Sequence, residues 1–113
     1  MMVIYDGSPV AQKALATATA LVQGLESHLV VFILATEREA AHHVKAQASE
    51  WLQERDLMAR FHVLTGSSVS RLARAVQMER GGTLVVPARS PLLQGEVLLQ
   101  LLDEVDIPVL LVR

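Results

Sequence analysis

The chain has 113 residues, 51% hydrophobic and 19% charged, with a formal net charge of −2 and no cysteine. This composition excludes a disordered chain, and the lack of a basic block excludes a nucleic-acid phosphate backbone as partner. The length suits one domain over residues 1–113, while the missing cysteine excludes disulfides, thiol catalysis and cysteine-based zinc sites and fits a cytoplasmic location.

The opening run, "MMVIY", reads as a short strand and is too brief for the core of a signal peptide. Asp6-Gly7-Ser8-Pro9 then reads as a turn into a helix, with Ser8 as N-cap and Pro9 as first helical residue. Ala11, Leu15, Ala18, Val22 and Leu25 recur at helical spacing, and Gly24 sits near that helix's end. The longest apolar run, "LVVFILA", is far short of a membrane span, so no membrane insertion is expected.

A second helix is predicted over residues 37–54, with the mostly small apolar face Ala41, Val44, Ala48, Trp51 and Leu52. "FHVLT" follows as a third strand, and Gly66-Ser67-Ser68 turns it into a helix whose inner face is Val69, Leu72, Ala73 and Val76. Gly81-Gly82 ends that helix before the fourth strand, "TLVVP". The turn Pro87-Ala88-Arg89-Ser90 leads on to a last helix with the stripe Val97, Leu98, Leu101, Leu102 and Val105. "IPVLLV" closes the chain as a fifth strand.

Continuous apolar runs indicate strands buried on both faces, as in a parallel sheet. The order βαβαβαβαβ with right-handed crossovers makes a doubly wound five-stranded α/β sheet. Ligands of such sheets bind beyond the carboxyl ends of the strands, where the strand order reverses. With the first strand beside the fourth, Asp6-Gly7-Ser8 and Pro87-Ala88-Arg89-Ser90 face one cleft. The last strand, Val109, Leu110, Leu111 and Val112, is apolar on both faces yet expected at the sheet edge, which invites a two-fold homodimer through it.

"VIYDGSPVAQKALATATALV" followed by "LVVFIL" resembles the opening of a universal stress protein, and "LVVPARS…LLQGEVLLQLLDEVDIPVLLVR" is similar to the family's closing region. The resemblance implies strand order 3-2-1-4-5, an adenine-nucleotide alpha hydrolase-like fold and a homodimer. Members that bind ATP carry Gly-x2-Gly-x9-Gly-Ser/Thr after the fourth strand, where amides and a hydroxyl hold the phosphates. Their aspartate ending the first strand, here Asp6, lies by the nucleotide. Laid on this chain, the first glycine falls on Pro87 and the second on Ser90. Only the four residues 91–94 separate Ser90 from Gly95, where the motif has nine, and Glu96 replaces Ser or Thr.

These departures oppose ATP. Pro87 lacks an N–H and fills space that glycine leaves, Ser90 restricts the backbone, and Glu96 puts negative charge at a helix start. The candidate nucleotide residues are therefore a reduced set, Asp6, Gly7, Ser8, Arg89, Ser90 and Gly95, with ATP and AMP both disfavoured as cofactors. Asp6 is either a nucleotide contact or a turn residue. Arg89 and Ser90 either bind an anion or only cap the turn.

No metal site is expected. His42 and His43 are sequence neighbours that point about 100° apart on a helix, and His28 and His62 show no partner in the sequence. No base, nucleophile and anion hole assemble, so no enzymatic activity is expected. The leading expectation is a non-enzymatic, universal-stress-protein-like domain acting in stress response or regulation through dimerisation and protein contacts. The alternative is a sensor of a small nucleotide, AMP, ATP or a cyclic nucleotide, in the cleft between strands one and four.

Overall fold

The computed structural model describes residues 1–22, 28–66, 69–79, 82–93 and 95–113. Gly24, Leu25, Ser67, Ser68 and Gly81, expected above to cap, pack or end helices, lie outside the described residues. In chain order the elements are β1 (Met2–Tyr5), α1 (Pro9–Val22), β2 (Leu29–Ala35), α2 (Arg38–Gln53), β3 (Ala59–Thr65), α3 (Val69–Met78), β4 (Leu84–Pro87), α4 (Glu96–Glu104) and β5 (Val109–Val112). The sheet order is β3-β2-β1-β4-β5 and every described pairing is parallel. Element order and sheet topology agree with the sequence reading.

Strand side chains alternate between faces, so each central strand feeds two cores. Met2 and Ile4 of β1 join Val30, Phe32 and Leu84 in the core beneath α3 and α4. Val3 and Tyr5 join Val31, Ile33 and Val85 beneath α1 and α2. All residues of β1, β2 and β4 are buried, which explains why their sequences are continuous apolar runs rather than alternating ones. The two edge strands depart from that pattern: β3 and β5 are largely half-buried or exposed along their length.

The edges differ in chemistry. On β3, Arg60 pairs with Glu79, and His62 Nε2 lies 2.7 Å from the same carboxylate while its ring stacks on Phe32. His62 thus has a partner that the sequence did not suggest, because Glu79 is seventeen residues away on the far side of α3. The β5 edge carries no charge, and Leu110 and Leu111 remain 39% and 47% exposed. No helix among the described residues is long and apolar enough to cross a membrane.

Burial sorts the mutational response. Ile4→Ala, at a fully buried position, is expected to cost about 2–5 kcal/mol in urea unfolding. Met58→Ala, at a side chain that is 92% exposed, is expected to stay within about 0.5 kcal/mol.

Candidate functional site

The site that the topology selects is the break between β1 and β4. Their ladder holds only the pairs Met2↔Leu84 and Val3↔Val85, although β1 runs on to Tyr5 and β4 to Pro87. Beyond that point β4 stays with β5, through Pro87↔Val112 and an Ala88 N–H bond to the Val112 carbonyl at 2.7 Å. The two carboxyl ends therefore part, as expected where strand order reverses.

The β1 end is locked by its own side chains. Asp6 Oδ1 accepts from the Ser8 N–H at 3.0 Å and from the Ser8 hydroxyl at 2.5 Å. The same Ser8 Oγ accepts from the Ala11 N–H at 3.3 Å, capping α1 ahead of Pro9. Gly7 sits at φ +85°, where a side chain is strained, and α2 leans over it. A Cβ there would lie 3.3 Å from Gln47 Oε1 and 3.4 Å from a Val44 methyl. Sequence reading missed this closure by α2, because nothing local links Val44 and Gln47 to residue 7.

Below the turn, the Tyr5 hydroxyl donates to Gln12 Oε1 at 3.0 Å. Burial, reinforced by the neighbouring Asp6 carboxylate, pushes the Tyr5 phenol above its ordinary value of 10.0. Three buried polar atoms in this region have no hydrogen-bond partner among the described residues: Asp6 Oδ2, Gln12 Nε2 and Ser90 Oγ.

The β4 end is closed by apolar packing instead. Ser90 is fully buried and bridges to Leu93, whose N–H bonds the Ser90 carbonyl at 3.0 Å. Leu93 is 1% exposed and belongs to the core beneath α3 and α4, with Leu92 packed beside it. Arg89 turns outward at φ +69°, exposed to solvent. Gly95, at φ +64° with open space around its Cβ position, starts α4 without a side-chain cap.

Thus Asp6, Gly7 and Ser8 form one hydrogen-bonded turn, Ser90 lies inside the protein, and Arg89 and Gly95 lie outside it. The signal for this closure was present in the sequence as the adjacent leucines of "SPLLQG". Three cavities lined by described residues measure about 620, 160 and 170 Å³, and Asp6, Arg89 and Ser90 line none of them. No group of three or more His, Asp or Glu placed to hold a metal ion occurs among the described residues.

No protein-family model and no curated protein matches the sequence. Solved structures do match it in fold. A universal stress protein from Archaeoglobus fulgidus is 17% identical with a TM-score of 0.79, covering 99% of this chain and 91% of its own. A universal stress protein family member from Burkholderia pseudomallei is 20% identical with a TM-score of 0.71, covering 97% and 93%. A universal stress protein solved in complex with cAMP is 15% identical with a TM-score of 0.72, covering 100% and 97%. At these identities the likeness shows the fold: the chain has the five-stranded α/β architecture of universal stress protein structures.

Two measurements check the site's chemistry. The chain has one tyrosine, so tyrosinate absorbance reports Tyr5 alone, and its titration is expected to lag behind that of free tyrosine. Because the folded-state pKa is the raised one, stability from this group is full below about pH 10 and falls as pH rises through the folded value; Tyr5→Phe removes that part of the alkaline loss. Gly7→Ala is expected to cost about 1–2 kcal/mol in chemical denaturation, from the left-handed backbone alone.

Proposed function

We propose that, on the fold it shares with universal stress proteins, this chain is a non-enzymatic family member that does not bind ATP and works through pairing of its β5 edges and contacts with other proteins. Residues 1–113 then act as one domain in cytoplasmic stress response or regulation.

One observation carries this reading. The β4–α4 turn, which would have to wrap phosphates, is instead folded onto its own Ser90–Leu93 bridge with Leu93 buried in the core. Opening it exposes a leucine and costs about 1.5–3 kcal/mol. Pro87, at the position of the first motif glycine, offers no N–H to a phosphate. Glu96 in the first turn of α4 opposes an anion there.

The contrast between the edges supports β5 as the pairing surface. A charged residue such as Arg60 on β3, paired with Glu79 from beyond α3, guards against strand addition, whereas Val109, Leu110, Leu111 and Val112 leave β5 unguarded.

A second reading rests on Asp6 Oδ2, Gln12 Nε2 and Ser90 Oγ, buried polar atoms in the region of the strand break that have no partner among the described residues. With a structural relative solved in complex with cAMP, they support a sensor of AMP or a cyclic nucleotide.

Thermal denaturation separates the two. A ligand present at a hundred times its Kd adds about 2.7 kcal/mol of stability. No rise in Tm is expected with ATP and Mg²⁺, AMP or cyclic AMP; a rise abolished by Asp6→Ala would replace the first reading with the second. Sedimentation equilibrium is expected to give a dimer mass at micromolar concentration and a monomer mass for Leu111→Asp. A monomeric unaltered chain would remove the β5 interface.

A further inference from the structure

We propose that the hollow between α3 and the β4–α4 turn binds a small, neutral, apolar molecule about the size of a single six-membered ring. The hollow measures about 160 Å³. Leu34 and Leu64 form its floor at the ends of β2 and β3, Leu72 rises from α3, and Leu92 and Leu93 wall it from the turn. No charged side chain lines it among the described residues, and its polar groups, Thr36 and Gly66, are exposed.

The class of occupant follows from size and lining. A dry cavity of about 150 Å³ lined by aliphatic and aromatic side chains is sufficient for benzene. The hollow is partly open to solvent, so its leucine side chains face water instead of making dispersion contacts with protein. An apolar guest restores those contacts, whereas an ion placed here would lose its hydration with no counter-charge. With Thr36 and Gly66 exposed among the lining residues, one hydroxyl of a guest can stay solvated while its hydrocarbon is buried.

This inference shares the closed β4–α4 turn with the reading above and assigns that closure a use: the same leucines that oppose phosphate make a wall for hydrocarbon. The two remain separable by experiment.

The test titrates the isotope-labelled full chain with the 1-alkanols from propanol to hexanol, followed by NMR. Saturable shifts are expected at Leu34, Leu64, Leu72, Leu92 and Leu93, with affinity rising about fourfold per added methylene. Val69→Phe and Val97→Phe, at lining positions that are not fully buried, fill the space. Each is expected to weaken hexanol about tenfold or more, equivalent to losing roughly two buried methylenes. Non-saturable shifts, equal affinity for propanol and hexanol, or unaltered hexanol binding by both folded variants would overturn the proposal. If neither variant folds, the alkanol series on the unaltered chain still decides. A parallel titration with ATP and Mg²⁺ that shifts Asp6 and Arg89 would sink the non-nucleotide reading and leave the hexanol result standing.

Discussion

The constraint on which the structure depends is the complete burial of β1. Its four residues are buried on both faces, under α1 and α2 on one side and α3 and α4 on the other. A strand so placed must be apolar throughout, must pair on both edges, and must end in a turn that releases the chain to the surface. The pairing with β2 runs the whole length of β1, while that with β4 stops after two residue pairs. The crevice at the carboxyl end follows from that difference.

The two strand ends at this crevice are finished by different physics. After β1 the chain uses hydrogen bonds: one Asp6 oxygen serves both the Ser8 amide and the Ser8 hydroxyl, which in turn caps α1. After β4 it uses hydrophobic burial, with Leu93 drawn into the core and Leu92 beside it. A phosphate-binding turn needs free backbone amides and room for oxygen atoms. Here the Leu93 amide is bonded to the Ser90 carbonyl, and the Leu93 side chain lies in the core. The turn is thus finished by packing, and its inner wall is hydrocarbon.

Much of the fold was legible in the sequence because β1, β2 and β4 are buried on both faces and therefore read as unbroken apolar runs. Ser8-Pro9 marked the start of α1 for the same local reason, a side-chain cap followed by a residue with no amide to satisfy. The edges were harder to read. "FHVLT" looks like a buried run, yet β3 is partly exposed, and the Glu79 that partners Arg60 and His62 comes from beyond α3. The candidate site was legible at Asp6, Gly7 and Ser8, whose bonds span at most three residues. It was illegible where closure is long-range, as with Val44 and Gln47 against Gly7. Local pattern identifies a turn but not the element that covers it.

The proposed function turns on whether the β4–α4 turn is closed, and amide hydrogen exchange at Leu93 reports that state. The Leu93 amide is expected to exchange slowly in the free protein, held by the Ser90 carbonyl and the buried side chain, and to keep the same rate in saturating ATP and Mg²⁺. Rapid exchange in the free protein that becomes slow when the nucleotide is added would show an open turn waiting for phosphate, and would contradict the closed turn on which the proposed function rests.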